Sequence, residues 1–346
     1  MTVEKNQEEI LVVGYGGMGR MYANAVRKRA LVVGVVVGRQ VTREKLSKEL
    51  DEPVYTDLEE AVRETEPSAI AVFSPTEWHA ANLRVALEHK IPSMVIKPAC
   101  VDPEQAQSLF RDFEAAGVPL LMAHEGVFAP AFLALEAAVL QGMIGAVREV
   151  HWVKEGQESL SGGREKESPR SEDLEGRNYG HVYASVMHEL YVVNRLLGRL
   201  EPENCDVGHC FAASHEMKLD ALVRYPGGLV SRIRYNLGGE MPFRRGLQVV
   251  GDKGSLLWLV QPGKSVLQLR QGRKVRDIGY RGRAGGPAAD VIHAFLELLD
   301  GGGHPESLED GARALRAARK VTEAAASAAQ AAINLSGIAG GADLGI

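Results

Sequence analysis

The sequence is poor in cysteine, has no excess of positive charge and contains no long uninterrupted hydrophobic run. Its three cysteines, Cys100, Cys205 and Cys210, are an odd and sparse set among 346 residues, which favours free thiols in a reducing cytoplasm. The formal net charge of −5 gives no electrostatic case for binding nucleic acid. No apolar run is long enough to span a bilayer, and the polar, acidic residues 1–9 are unlike a secretory signal. We therefore expect a cytoplasmic protein without nucleic-acid or membrane partners.

One cluster of sulfur and imidazole groups could be interpreted as a metal site. Cys205 and Cys210 flank His209 within six positions. Their spacing matches no common zinc pattern, so we favour buried thiols in or near a strand and predict no metal.

The most informative stretch is a glycine-rich turn near the start of the chain. The apolar run Ile10–Val13 shows no polar alternation, which is typical of a strand buried on both faces. Three glycines follow it in the spacing G-x-G-x-x-G, at Gly14, Gly16 and Gly19. A helix-like segment, residues 18–29, and a second apolar run, residues 31–37, complete a strand–helix–strand unit.

This context predicts a dinucleotide site rather than a plain structural turn. The first glycine of such a site allows a tight turn, the second leaves room for a pyrophosphate, and the third lets the helix pack on the strand. The free N–H groups at the helix N-terminus attract phosphates. We therefore add Gly17 and Met18, in the first turn of the helix, to the predicted cofactor contacts.

The end of the second strand indicates which dinucleotide is bound. About 20 residues beyond the glycine turn, NAD sites place a carboxylate that binds the ribose 2′-hydroxyl. Gly38 and Arg39 stand there instead, and Arg43 follows one helical turn later. Guanidinium groups suit a 2′-phosphate, although two arginines can also simply begin a solvated helix. We predict NADP(H) in preference to NAD(H).

Strands alternate with helices as far as residue 123. Further buried strands are predicted at 68–73, 93–96 and 119–123, and Asp57 is a candidate N-cap for one of the helices between them. This alternation predicts a Rossmann domain over residues 1–123, with a parallel sheet and helices on both faces.

Beyond residue 123 strands follow one another without helices between them. The length and the 45% hydrophobic content also favour a second core. We predict an α+β domain over residues 124–335 with a large, mostly antiparallel open sheet. The polar stretch 155–177 is expected to be a mobile insertion, and the glycine-rich residues 336–346 a flexible tail.

Two strands of this second domain suggest self-association. The segments 218–225 and 229–237 alternate imperfectly, and we expect apolar residues on both of their faces. An exposed apolar sheet face tends to be covered by a partner, so we predict a homodimer or homotetramer formed through this sheet.

Several separated motifs together resemble the glucose–fructose oxidoreductase and inositol dehydrogenase family (Gfo/Idh/MocA). They occur in the family's order over residues 9–335: the glycine turn, Ser74-Pro75-x-x-x-His79, Lys97-Pro98, Gly142-x-Ile144-Gly145, His188 with Leu196-Leu197-Gly198, and Gly251-x-x-Gly254-Ser255-Leu256. The resemblance implies a two-domain dehydrogenase that transfers a hydride between a nicotinamide and a secondary alcohol or ketone, often on a sugar.

The resemblance also implies site residues. Lys97 matches the family's lysine, and a lysine partly desolvated beside a nicotinamide can exchange a proton with the reacting oxygen. His188 matches the family's histidine and is the second catalytic candidate. Tyr183 is the third candidate, as a nearby side chain that could replace a missing polar group rather than as a match to the family's motif. The expected cofactor contacts beyond the glycine turn are Gly38, Arg39, Arg43, Ser74, Pro75, Thr76, His79, Lys97 and Pro98. The expected substrate contacts are Lys97, Glu125, Tyr179 and His188.

The chain departs from the family pattern at polar positions. Ile96 replaces the glutamate before the lysine, Ala184 replaces an aspartate, and Val127 replaces part of a basic pair. Such a pocket suits a ketone, imine or unsaturated carbonyl that is less polar than a sugar. Tyr179, His181 and Tyr183 could supply replacement donors, or they could be ordinary helix packing.

The sequence is consistent with two functions. The first is an NADP(H)-dependent oxidoreductase with Lys97 and His188 in the proton path. The second is a catalytically inactive NADP(H)-binding regulator. The retention of Lys97, Pro98 and His188 together favours the enzyme.

Overall fold

The structure is a computed structural model that describes residues 7–157, 179–198, 200–212, 217–282, 285–302 and 308–339. It divides into two compact units. The first contains the described residues within 1–129 and 282–312, and the second those within 130–281 and 313–346. Most of the predicted insertion, residues 158–177, lies outside the described part of the chain.

The first unit is built on a six-stranded parallel sheet. Its strands are β1 (Glu9–Val13), β2 (Leu31–Val36), β3 (Val54–Tyr55), β4 (Ala69–Val72), β5 (Ser93–Ile96) and β6 (Leu120–Ala123). Its helices are α1 (Gly17–Val26), α2 (Gln40–Leu46), α3 (Leu58–Thr65), α4 (Thr76–Glu88), α5 (Pro103–Ala116), α6 (Glu125–Phe128) and α9 (Gly286–Leu299). All four residues of β4 and of β6 are buried, as the continuous apolar runs predict.

The strand order in this sheet is β3-β2-β1-β4-β5-β6, with every neighbouring pair parallel. The chain therefore leaves β1 toward β2 on one side and later returns to β4 on the other. Ligands of open α/β sheets bind at such a switch point, outside the carboxyl ends of the strands. The predicted Rossmann architecture is confirmed. Asp57 is the N-cap of α3, since its Oδ1 accepts a 2.8 Å hydrogen bond from the amide of Glu60.

Two later segments return to the first unit. Helix α9 packs on α1 and α6. The helix α10 (Leu308–Ala339) begins in this unit, where a Cβ added to Gly311 would lie 2.9 Å from the side chain of Met122. The sequence pattern contains no sign of this return, because an amphipathic helix does not reveal which core its apolar stripe joins.

The second unit is built on an eight-stranded sheet. Its strands are β7 (Val147–Gln157), β8 (Asn204–Ala212), β9 (Met217–Tyr225), β10 (Leu229–Pro242), β11 (Arg244–Gly251), β12 (Ser255–Gln261), β13 (Lys264–Gln271) and β14 (Lys274–Asp277). The helices α7 (Pro130–Leu140) and α8 (Tyr179–Leu197), most of α10 and a 3-10 turn at Pro226–Gly228 complete it. The order is β14-β13-β12-β11-β7-β10-β9-β8, antiparallel except where β10 pairs with β7. The predicted mostly antiparallel sheet is confirmed.

The expected apolar character of both faces of β9 and β10 is wrong. β9 alternates between buried residues and exposed or half-buried ones along its whole length. In β10, Ser231, Ile233 and Tyr235 are buried while Arg232 and Arg234 are exposed. The arginines form ion pairs on the solvent-facing side, with Asp220 on β9 at 2.7 Å from Arg232. The alternation is that of a sheet with one face buried.

The predicted tail also needs correction. Helix α10 extends to Ala339, so residues 336–339 are helical, and only positions from 340 onward lie outside the described residues. Alanine is the best helix former, and the alanine-rich sequence before Ser336 continues the helix past Gly337, the first glycine of the predicted tail. In the described part of the chain, no helix combines the length and apolar character needed to cross a membrane.

Candidate functional site

The glycine turn lies at the switch point of the first sheet. Gly14 has φ +94°, a left-handed conformation that favours glycine, and its amide donates a 2.8 Å hydrogen bond to the carbonyl of Val36. A Cβ on Gly14 would lie 2.4 Å from the amide nitrogen of Ser74, and one on Gly19 would lie 2.2 Å from the carbonyl oxygen of Gly14. Both glycines are therefore required by close backbone packing.

Gly16 has a different role. It is the N-cap of α1, and a Cβ built on it meets no atom within 4 Å. Its φ of −74° is open to any residue, so the backbone itself does not require glycine here. The space in front of Gly16 is what a pyrophosphate would fill.

The N-terminus of α1 is prepared for an anion. No side chain caps it, its first turn has no acidic residue, and the predicted contacts Gly17 and Met18 are exposed there. Because Gly16 is the N-cap of this 10-residue helix, the first N–H groups and the helix dipole point to the space in front of Gly16. These residues fit a dinucleotide phosphate.

The loop after β2 contains the predicted 2′-phosphate residues. Gly38 has no atom within 4 Å of an added Cβ, and Arg39 is the exposed N-cap residue of α2. Arg43 differs from expectation in one respect, because its Nε donates a 2.9 Å hydrogen bond to the carbonyl of Val54. One donor of Arg43 is thus committed to the backbone, which leaves Arg39 as the better placed guanidinium.

The loop after β4 is fixed from two sides. Asn82 donates a 3.0 Å hydrogen bond from its Nδ2 to the Oγ of Ser74. His79, in the first turn of α4, is 1% exposed, and its Nε2 lies 2.7 Å from the carbonyl oxygen of Ser74. Pro75 is exposed and Thr76 half-buried at the start of the same helix. Burial lowers the pKa of His79, and its contacts with backbone carbonyls offset only part of that shift.

Lys97 lies at the end of β5, on the same edge of the sheet. It is half-buried, and it follows Ile96, which pairs with Ala123 of β6. The peptide bond to the buried Pro98 is cis. Lys97 therefore stands at the carboxyl edge of the sheet that also holds the glycine turn.

Glu125 begins the helix that follows β6, two residues beyond Ala123. Its Oε1 accepts a 2.9 Å hydrogen bond from the hydroxyl of Tyr22, a buried residue of α1 whose ring stacks on Phe73 at 4.7 Å. Burial and the neighbouring carboxylate raise the pKa of Tyr22 well above its usual value, so the phenol stays protonated and donates. Glu125 is half-buried and has a fixed orientation.

The remaining predicted residues belong to the second unit. His188 and Tyr183 are each 9% exposed on α8. Five positions apart in a helix, they point about 140° away from each other, so they do not share one face. The side chains of Tyr179 and His181 lie outside the described residues.

Sequence reasoning missed two pairs of site-forming or buried polar residues. One is Tyr22 with Glu125, which are 103 positions apart. The other, in the second unit, is the buried ion pair of Lys154 on β7 and Glu189 on α8, whose Nζ and Oε1 are 2.8 Å apart. Neither pair has a local sequence signal, because each depends on contacts between distant segments.

The cysteine cluster does not form a metal site. Cys205 and Cys210 are free and half-buried on β8, and burial raises the pKa of each thiol to about 11. Cys205 pairs with Val223 and Cys210 with Leu219 on the buried face, whereas His209 pairs with Asp220. Among the described residues, no group of three or more His, Cys, Asp or Glu side chains could hold a metal ion.

Known oxidoreductases are similar to this chain in sequence. Residues 9–124 match the family model GFO_IDH_MocA, described as an oxidoreductase family with an NAD-binding Rossmann fold. Myo-inositol dehydrogenase Hyg17 of Streptomyces leeuwenhoekii is 26% identical over 310 residues, which cover 85% of this chain and 89% of that protein.

Solved structures share the fold over more than nine tenths of the chain. UDP-N-acetylglucosamine 3-dehydrogenase GnnA from Acidithiobacillus ferrooxidans has a TM-score of 0.74 at 20% identity, covering 93% of this chain and 98% of that one. Biliverdin reductase from Synechocystis sp. PCC 6803, in complex with biliverdin and NADP+, has a TM-score of 0.73 at 16% identity, covering 91% and 98%. The resemblance to the Gfo/Idh/MocA family is confirmed by the family model over residues 9–124, and the protein is an NAD(P)-dependent oxidoreductase.

Proposed function

We propose that the protein uses NADP(H) to transfer a hydride between the nicotinamide and a ketone or secondary alcohol, with an imine as a related substrate. The observation that supports it best is the edge of the first sheet. There an open phosphate cradle at Gly16, an exposed Arg39 and the half-buried Lys97 follow β1, β2 and β5.

The preference for NADP(H) over NAD(H) rests on the loop after β2. No carboxylate stands at Gly38 or Arg39 to accept a hydrogen bond from a ribose 2′-hydroxyl. An exposed guanidinium at the start of α2 would instead form charge-assisted hydrogen bonds with a 2′-phosphate. The NADP+ complex of the biliverdin reductase shows that one protein of this fold binds that cofactor.

The proposed chemistry assigns the proton to Lys97. When bound, the nicotinamide supplies or accepts the hydride. In the direction of reduction, an alkoxide develops on the substrate, and the ammonium of Lys97 donates a proton to its oxygen. In the direction of oxidation, the neutral amine takes the hydroxyl proton. His188, on α8 of the second unit, is proposed as a second catalytic residue.

The proposed substrate is less polar than a sugar. Ile96 offers no charge beside Lys97, and Val127 is fully buried. The hydroxyl of Tyr22 holds the carboxylate of Glu125 two residues beyond the end of β6, so we propose that Glu125 accepts a hydrogen bond from the substrate. A ketone or imine with a single donor group near the reacting carbon fits this set.

A turnover screen tests the proposal. The protein is mixed with NADPH or NADH and a panel of ketones, cyclic imines, unsaturated carbonyls and inositol-type polyols, and the absorbance of the reduced cofactor is followed. We expect NADPH consumption with a carbonyl of moderate polarity. Tight binding of NADPH without turnover of any substrate would favour the inactive regulator instead.

We retain the proposal of a homodimer or homotetramer formed through the second sheet. β9 and β10 no longer support it, because their exposed side is charged. Leu257 and Leu259 of β12 remain half-exposed on the face opposite the buried Leu256 and Trp258. Light scattering at micromolar concentration tests it, and a monomer would contradict it.

A further inference from the structure

The imidazole of His79 contacts two different loops of the proposed cofactor site. Its Nε2 lies 2.7 Å from the carbonyl oxygen of Ser74, after β4, and its Nδ1 lies 2.9 Å from the carbonyl oxygen of Pro98, after β5. The residue is 1% exposed. Both ring nitrogens therefore face backbone, and neither is directed to solvent or to a bound molecule.

Each of these two carbonyls adjoins a functional segment. The backbone of Ser74 touches the glycine turn, since a Cβ on Gly14 would lie 2.4 Å from the Ser74 amide nitrogen. The carbonyl of Pro98 is one residue beyond Lys97. One imidazole thus connects the segment behind the phosphate cradle with the segment that presents the proposed proton donor.

The protonation state of the His79 ring determines to how many carbonyl groups it can donate a hydrogen bond. A neutral imidazole has one N–H donor and one lone pair, whereas both carbonyls are acceptors. The neutral ring therefore donates to one carbonyl at a time, and the protonated ring donates to both. In either state at least one loop is held by a hydrogen bond inside a buried site, where an unpaired group is costly.

We propose that His79 is a positioning residue that holds two segments in place: the cofactor loop at Ser74 and the segment that presents Lys97. It acts through the backbone of Ser74 on the cofactor loop and through the backbone of Pro98 on the lysine. This inference rests on the proposed function, because it takes NADPH as the ligand and Lys97 as the proton donor.

Two substitutions of His79 each keep the hydrogen-bond donor of one ring nitrogen and remove that of the other. His79→Asn places an amide N–H near the position of Nδ1 and keeps a donor for Pro98. His79→Gln places one near the position of Nε2 and keeps a donor for Ser74. His89→Asn is the matched control, because His89 ends the same helix, is exposed and pairs with Glu59.

Two readouts that need no substrate are measured on the full-length protein. The first is the Kd for NADPH by fluorescence titration. The second is the pH dependence of Lys97 labelling by acetic anhydride, followed by mass spectrometry. We expect His79→Asn to weaken NADPH binding about tenfold, the effect of about 1.4 kcal/mol, with Lys97 labelling close to wild type. We expect His79→Gln to shift the labelling profile of Lys97 and to bind NADPH within about threefold of wild type.

The outcomes distinguish this inference from the proposed function. If wild-type protein binds no NADPH, the proposed function fails. If wild-type protein binds NADPH and both His79 variants match His89→Asn in both readouts, the positioning role of His79 is wrong. Equal changes in both readouts for both variants also overturn it, since they indicate general loosening. If a variant fails to fold, nitrogen NMR of the wild-type His79 ring decides: NADPH should shift both ring resonances, and unchanged resonances contradict the proposal.

Discussion

The hydroxyl of Tyr22 donates a 2.9 Å hydrogen bond to Oε1 of Glu125, which joins the first helix of the nucleotide-binding unit to the residue that follows its last strand. Tyr22 is fully buried and its ring stacks on Phe73, the residue directly after β4. The pair holds a carboxylate in one orientation at the edge of the sheet where Lys97 stands.

Removing the hydroxyl of Tyr22 should lower the free energy of unfolding and should also weaken substrate binding. Tyr22→Phe keeps the stacked ring and leaves Oε1 of Glu125 without its donor, so we expect about 1 kcal/mol less stability by urea denaturation. Once a substrate is known, KM should rise more than kcat falls, because Glu125 is no longer oriented. Glu125→Gln is the matched variant, since it still accepts from Tyr22. A Tyr22→Phe protein with unchanged stability and KM would show that the bond has no role.

The glycines of the turn should differ in what they tolerate. Gly16→Ala adds a methyl group to open space, so we expect an unchanged melting temperature without cofactor and at least about tenfold weaker NADPH binding. Gly19→Ala places a methyl group 2.2 Å from the Gly14 carbonyl, so we expect a lower melting temperature even without cofactor. Differential scanning fluorimetry with and without NADPH measures both. Equal behaviour of the two variants would contradict the assigned roles.

The choice of cofactor should depend on Arg39. Arg39→Ala should lose affinity for NADPH and leave the affinity for NADH nearly unchanged, because only NADPH has the 2′-phosphate. Arg43→Ala is the control, and a smaller loss is expected because its Nε already binds the Val54 carbonyl. Fluorescence titrations with both cofactors measure this. Equal losses for NADPH and NADH would exclude a phosphate contact at Arg39.

The contributions of Lys154 and Glu189, the buried ion pair of the second unit, to the free energy of unfolding should depend on each other. Lys154 is 6% exposed and Glu189 is fully buried, and the ammonium of Lys154 also lies 5.3 Å from the centre of the Tyr235 ring. Lys154→Met leaves a buried carboxylate without its cation, and we expect a loss of about 3–5 kcal/mol in unfolding free energy. The double variant Lys154→Met/Glu189→Leu should recover most of it. Arg232→Ala, at an exposed pair, should change stability little. A double variant as unstable as the single one would contradict the pairing.

Local signals in the sequence predict the first unit well. The run Ile10–Val13, the three glycines and the Asp57 cap are each recognisable within a few residues, because strand burial, turn geometry and capping are local properties. The short elements β3, α6 and β14 are missed, since two to four residues contain no periodicity.

Long-range contacts could not be predicted from the same signals. The Tyr22–Glu125 bond, the Lys154–Glu189 pair and the return of α9 to the first unit each depend on which distant segments pack together. The motif Ser74-Pro75-x-x-x-His79 predicts His79 as a cofactor contact. The structure shows both of its nitrogens on backbone carbonyls, a role that a motif cannot specify.

We propose that Lys97 donates the proton that accompanies hydride transfer from NADPH. Lys97→Met keeps the length and apolar stem of the side chain and removes the ammonium. With a substrate from the screen, we predict that turnover falls by about a hundredfold or more, while the Kd for NADPH changes little. His188→Ala should cost less. Near-normal turnover of the Lys97→Met protein with that substrate would contradict the claim and assign the proton to another donor.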